Sequence, residues 1–219
     1  MGIFISGNYS WDNIILGDVS IRFDGSSEFG SDSQWGSFWS VGGGINVHNL
    51  KFMKALPWLN QFKIRGTYGA TGKVNYPPCA ARDTYEVLFD DWYSTGVGAT
   101  LQGIGNEKLV WEKTNTTNIG FDLSFFQSKY SLTFSWYNRQ TVDMITDVTI
   151  PSSAGFTSYK DNMGETRNRG YEISLSATIL NTKDFGVNAF INFARNEGRL
   201  MKISESLKAY NERVDDYLT

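Results

Sequence analysis

Residues Gly120–Asn138 read GFDLSFFQSKYSLTFSWYN and alternate almost without a break. Before Gln127-Ser128-Lys129 the odd positions Phe121, Leu123 and Phe125 are apolar, while Asp122 and Ser124 are not. After it the even positions Leu132, Phe134 and Trp136 are apolar, while Ser131, Thr133 and Ser135 are not. A period of two marks a strand with one greasy and one polar face. Two such runs around a short polar turn predict an antiparallel hairpin. What the greasy face touches, a protein core or lipid, decides the fold.

The same alternation recurs outward from this hairpin. It is carried by Ile15, Val19, Ile21 and Phe23; by Trp39, Val41, Ile45 and Val47; and by Phe62, Ile64, Tyr68 and Ala70. Downstream it returns in YEISLSATI from Tyr171 and FGVNAFINF from Phe185. With IFISGNYS at the start, eight strands are predicted, and no helix between them. Several runs reach nine residues or more, whereas strands of soluble domains average about 5–6 and a tilted strand crosses a bilayer in about 9–11. The polar faces favour Ser, Thr, Asn and Gly, as suits a wet or plugged lumen.

The connections point the same way. Short links at 10–13, 127–129 and 181–184 alternate with long ones at 25–35, 72–111 and 142–168 and a tail from 196. A medium link at 49–61 stands where a short one is due. A transmembrane β-barrel has brief periplasmic turns and long outer loops, and a soluble sandwich has no reason for that asymmetry. Tyr9, Trp11, Trp35, Phe38, Trp58, Trp111, Tyr130, Trp136 and Tyr137 lie near strand ends, where interfacial girdles would place them. The fold expected is therefore all-β: an antiparallel transmembrane β-barrel segment whose greasy face meets lipid. Beyond it, Leu200, Ile203, Leu207, Tyr210, Val214 and Tyr217 recur at helical spacing, so 199–219 reads as an outer-loop segment of helical pattern after a 1–198 barrel portion.

Composition excludes several functions. Charges are scattered around a net −3, which gives no basic footprint for nucleic acid. One Cys, Cys79, and one His, His48, leave no material for a Cys/His zinc site or a Ser-His-Asp triad, and no metal or cofactor is expected. No apolar run reaches the ~18 residues of a membrane helix. GTYGATGKV, from Gly66, misses the phosphate-loop spacing and has Val74 where Ser or Thr belongs. DGSSEFGSDS, from Asp24, lacks the ligand order of a calcium loop and reads as a turn. In TYEVLFDDWYSTG, Tyr85, Trp92 and Tyr93 beside Asp90 and Asp91 suit stacking on and hydrogen-bonding sugars. These five are the candidate substrate-binding residues. The same aromatics equally suit a loop packed on its neighbours.

Seven ordered motifs together resemble one family. They are IRFDGSSEFG (Ile21–Gly30), FKIRGTYGATGK (Phe62–Lys73), LVWEKTNTTNIGFDLSFF (Leu109–Phe126), SWYNRQTVDMI (Ser135–Ile145), IPSSAGF (Ile150–Phe156), NMGETRNRGYEISL (Asn162–Leu175) and FINFARNEGRL (Phe190–Leu200). In this order they resemble the barrel of SusC/RagA-type TonB-linked outer-membrane proteins of the Bacteroidetes, over nearly all of residues 2–200. Lys73 departs from the pattern, since the family usually has Asn there. The resemblance implies an outer-membrane importer of large nutrients, chiefly oligosaccharides and in some members peptides. It implies a plugged barrel of the class of about 22 strands, a SusD-like surface lipoprotein over the mouth, TonB pulling on the plug, and no chemistry on the cargo, hence no catalytic residue.

No signal sequence, TonB box or plug is recognised within these 219 residues, and eight strands are too few to close such a wall. An interior stretch of a longer receptor is the expectation. Two other readings use the same residues: a self-contained eight-stranded outer-membrane barrel with a structural or adhesive role, and a soluble β-sandwich that binds carbohydrate.

Overall fold

The computed structural model describes residues 1–29, 33–73 and 80–203. It contains β1 (Gly2–Trp11), β2 (Ile15–Gly25), β3 (Trp35–Asn46), β4 (Leu59–Lys73), β5 (Thr84–Tyr93), β6 (Gly96–Gly103), β7 (Glu112–Phe125), β8 (Tyr130–Thr149), β9 (Ser158–Asn181) and β10 (Gly186–Lys202). Eight of them form one antiparallel sheet in the order β1-β2-β3-β4-β7-β8-β9-β10, and β5 and β6 pair separately. The eight expected strands are the eight of this sheet.

Two loop expectations need correction. The long link at 72–111 holds β5 and β6, a hairpin whose Tyr85/Val87/Phe89 alternation was readable. The link at 142–168 is mostly strand, because β8 runs to Thr149 and β9 begins at Ser158. Strands of 20 and 24 residues exceed the ~9–11 that a bilayer needs, so this hairpin stands well out of the membrane. β10 likewise continues to Lys202, which places Leu200 in a strand. The helical positions Leu207, Tyr210, Val214 and Tyr217, and Cys79, lie outside the described residues.

The sheet is inverted relative to a soluble one. Along β3 the apolar residues Trp39, Val41 and Ile45 are exposed, and the intervening Gly36, Phe38, Gly42 and Asn46 are buried. Ile45 is 45% exposed and its neighbour Asn46 only 8%. Soluble sheets bury the apolar face, so the exposed face here is the one made for lipid. The polar face is the enclosed one.

Register carries the apolar face across every strand. Trp11, Ile15, Ile45, Ile64, Phe121, Phe134, Ile173 and Phe193 stand opposite one another in succession from β1 to β10. Cross-strand partners of this kind are the unit of sheet stabilisation, and the Phe121 and Phe134 rings stack at 5.2 Å. The row starts at the turn end of β1 and finishes in the middle of β10. That stagger is the shear of a tilted barrel wall.

The short turns gather at one end. Asp12 and Asn13 are both left-handed, φ 50 and 52, which makes the β1–β2 link a twist-matched hairpin turn. Phe126, Gln127 and Ser128 are left-handed as well, at φ 52, 58 and 62. Their strain is held by neighbours, since Phe126 N–H donates to Trp58 O (2.8 Å) and Ser128 N–H to Asn60 Oδ1 (3.2 Å). Tyr9, Trp11, Trp58 and Tyr130 stand exposed around this end as one girdle, with Trp58 stacked on Phe125 at 5.7 Å. His48 belongs here too, its ring Nδ1 accepting from Phe62 N–H at 3.3 Å.

Phe38 and Trp111 are not girdle residues. They are buried with Phe29, Ala81 and Leu109 in a cluster at the far end, on the polar side of the wall. Trp111 stacks on Phe29 at 4.7 Å, meets Phe38 edge-on at 5.4 Å, and donates its indole N–H to Ser33 O. Apolar burial in this molecule thus gathers beneath the outer loops.

Candidate functional site: the enclosed face and the outer loops

The enclosed face is lined by the polar half of each alternation. At its centre Arg65 on β4 faces Asp122 on β7 at 3.4 Å and donates to Ser135 Oγ on β8 at 2.7 Å. The guanidinium crosses an intervening strand to do so. Gly120 makes that crossing possible, because a Cβ there would lie 3.1 Å from the Arg65 guanidinium carbon and 2.5 Å from Phe134 O. Hydroxyl pairs continue the lining: Ser20 with Ser40 at 2.7 Å and Ser131 with Ser176 at 2.6 Å. These positions are polar in sequence for this reason. The pairing itself was not readable there, since it depends on register.

Above this face the outer segments are pinned by asparagine side chains. Asn162 on β9 copies a strand partner, accepting from Val110 N–H (2.9 Å) and donating to Val110 O (3.0 Å). Asn106 donates to Lys160 O and to Asp161 Oδ1 at 3.0 and 3.1 Å. The chain leading into β7 is thereby clamped to the projecting β8–β9 hairpin. Neither pairing is legible in the sequence, because an amide side chain carries no periodic signal of the backbone it will meet.

Glu112 opens β7 opposite Lys73, outside the apolar band. It is 5% exposed, and its Oε2 has no hydrogen-bond partner among the described residues. Burial pushes its carboxyl above the usual range, and the charge on Lys73 offsets only part of that rise.

The five candidate binding residues all fall on β5. Tyr85 and Tyr93 are exposed, Tyr85 at 63%. Pairing is regular from Tyr85 opposite Leu101 to Leu88 opposite Gly98, then irregular up to Trp92 opposite Val97. Asp90 lies within that irregular stretch, and the side chains of Asp91 and Trp92 lie outside the described residues. The hairpin therefore carries these residues on one element that stands apart from the main sheet.

The rejected motifs also have places. Gly66 through Lys73 is uninterrupted strand, and Asp24 pairs with Arg22 at 2.6 Å. Among the described residues no group of three or more His, Cys, Asp or Glu side chains is placed to hold a metal ion.

Comparison with known proteins agrees with this geometry. Residues 1–217 match the family model "TonB dependent receptor-like, beta-barrel". The chain is 32% identical to the TonB-dependent receptor SusC of Bacteroides thetaiotaomicron over 203 residues, covering 90% of this chain and 20% of SusC. It is also 32% identical to TonB-dependent receptor P39 of Formosa agariphila over 197 residues, covering 90% of this chain and 19% of that one. The structure of the RagAB peptide importer in its closed-closed state superposes with a TM-score of 0.84 at 33% identity, over 92% of this chain and 22% of that one. The siderophore receptor PirA of Pseudomonas aeruginosa, 12% identical with a TM-score of 0.57, shares the fold alone. The chain spans about a fifth of the length of these SusC- and RagAB-type relatives. It belongs to the TonB-dependent receptor β-barrel family, on the SusC/RagA side, and its sheet is outer-membrane barrel wall.

Proposed function

We propose that this chain forms part of the wall of an outer-membrane importer of large nutrients, most simply oligosaccharides, that works with a SusD-like surface lipoprotein and is driven by TonB. The reading is non-enzymatic: the wall encloses and guides, and the cargo leaves unchanged. The observation that carries it is the pairing of an exposed apolar face with an enclosed polar one on a single staggered sheet. The aromatic and carboxylate side chains of TYEVLFDDWYSTG, suited to stacking on and hydrogen-bonding sugars, support the glycan reading. Similarity to a peptide importer of comparable identity keeps peptide cargo as the second reading. In both, Tyr85, Asp90, Asp91, Trp92 and Tyr93 on β5 are the proposed outer contacts with cargo, by ring stacking and carboxylate hydrogen bonds.

The test is uptake in cells that express the intact receptor. Fluorescent oligosaccharides and peptides are supplied separately, with and without a functional TonB. One of the two classes should accumulate only when TonB is present. Combined Tyr85→Ala, Trp92→Ala and Tyr93→Ala should slow uptake at limiting cargo while the receptor stays at normal level in the membrane. Uptake unaffected by loss of TonB would overturn the importer reading. Unchanged uptake in the triple variant would remove β5 from the cargo path.

A further inference from the structure

The exposed face of the wall changes character abruptly near the outer ends of β8, β9 and β10. The rung Trp136–Tyr171 is followed on β10 by Arg195, the next by Asn138–Arg169–Glu197, and the next by Gln140–Arg167–Arg199. These rungs have the same parity as the lipid-facing Phe134–Ile173–Phe193, so their side chains leave the wall on the lipid side. Within two rungs of an aromatic belt, four arginines therefore stand at headgroup depth, on the outer side of the membrane. The chain as a whole is acidic, at net −3, which makes this local excess of positive charge the more distinct.

Among the described residues, the carboxylates on this patch do not neutralise it. Glu197 is shared, with Arg169 at 3.0 Å and with Arg199 on its other oxygen. Arg167 directs its Nε to the neutral amide of Asn138 at 2.8 Å. Glu165, the other acid on this patch among the described residues, accepts from Gln140 at 2.6 Å. Arg169 and Arg199 remain 46% and 61% exposed. Arg167, Arg169, Arg199, Glu197 and Met201 surround a cavity of about 60 Å³, which has room for several water-sized groups. Guanidinium groups arranged around such a hollow match phosphate oxygens in both charge and geometry.

We propose that this patch is a binding site for the phosphorylated headgroup of an outer-leaflet glycolipid of the lipid A type. The acyl chains lie along Phe134, Ile173 and Phe193, and the phosphate sits among Arg167, Arg169 and Arg199. The site would fasten the projecting β8–β9 hairpin to the membrane surface on the lipid side, leaving the enclosed face to the cargo.

The experiment titrates the intact receptor, in an uncharged detergent, with lipid A, dephosphorylated lipid A and inorganic phosphate, and counts bound molecules by native mass spectrometry. Lipid A should bind. Combined Arg167→Gln, Arg169→Gln and Arg199→Gln should weaken it by about tenfold or more, the scale of losing charge-assisted hydrogen bonds. Arg139→Gln, on β8 but facing the enclosed side, should leave binding unchanged. Glu197→Gln should tighten it, because the shared carboxylate competes with the phosphate. That gain cannot arise from misfolding, so the proposal stays testable if the triple variant fails to assemble. Equal binding of dephosphorylated lipid A, or no gain in Glu197→Gln, would overturn the site. Free phosphate competing as well as lipid A would assign it to a soluble anion. A triple variant that loses an oligomeric contact but keeps lipid A would assign the patch to a protein partner.

Discussion

Arg65 lies directly over Gly120, and only the missing side chain of that glycine lets the guanidinium join Asp122 and Ser135 across β7. A methyl group at Gly120 would meet the backbone oxygen of Phe134 on the neighbouring strand as well as the guanidinium. Gly120→Ala should therefore lower stability by about 1–3 kcal/mol, because the sheet must spread to admit it. Urea unfolding in detergent micelles would measure this, and an unchanged midpoint would show that Arg65 swings aside at no cost.

The apolar face predicts a depth series. Phe121 sits mid-band between Ile64 and Phe134, whereas Leu123 is two residues from Phe125 at the girdle. Phe121→Lys should cost about 2–4 kcal/mol, Leu123→Lys less, and Thr133→Lys, beside Asp122 on the enclosed face, least. Ser124 is a poorer control than its polarity suggests, since it is only 6% exposed beside Gln61. Folded yield in micelles would rank the three variants. Equal tolerance of Lys at Phe121 and Thr133 would reverse the assignment of the faces.

The strained β7–β8 turn offers a stabilising change. Ser128 has φ 62, a conformation that glycine reaches without penalty. Its backbone bond to Asn60 survives the substitution. Ser128→Gly should raise stability by about 0.5–1 kcal/mol. A loss in the same unfolding assay would mean that the serine side chain matters more than the strain.

Glu112 predicts a pH dependence with a definite sign. Its carboxyl is raised by burial in the folded chain, so the folded state holds its proton more tightly than the unfolded one. The associated stability is present below the ordinary value of 4.5 and is lost as pH rises through the folded value. Glu112→Gln should be more stable than the parent at neutral pH, with the difference vanishing on acidification. Thermal unfolding in detergent across that range decides it. A variant less stable at neutral pH would indicate that Lys73 outweighs the burial.

Much of the wall was legible in the residues alone. A two-residue period is a purely local property of the chain, so each of the eight main-sheet strands could be placed from sequence. Strand length and the alternation of short and long links then argued for lipid, and the inverted burial of β3 agrees. The aromatic girdle was legible only in part. Trp11 and Trp58 stand at the interface, but Phe38 and Trp111, similar in composition and position, are buried together. Nothing local distinguishes an aromatic beside lipid from one beneath a loop.

The extent of the outer strands was less legible. Beyond the membrane β9 is mostly polar, and the apolar Val142, Met144, Ile145 and Val148 of β8 keep no strict period of two, so a long loop is the natural reading of 142–168. Pairing between the two strands continues there regardless, past an irregularity in register beside left-handed Asp143.

The sequence by itself determined which residues lie in strands and which face of each is apolar, because the pleat forces that alternation. Only the tertiary structure decided what stands opposite what. Register brings Arg65 to Asp122 from 57 residues away, Asn162 to Val110 from 52, and Arg169 to Glu197 from 28. Such pairs exist because a closing wall must stagger its strands, and a stagger is a relation between strands that no single strand contains.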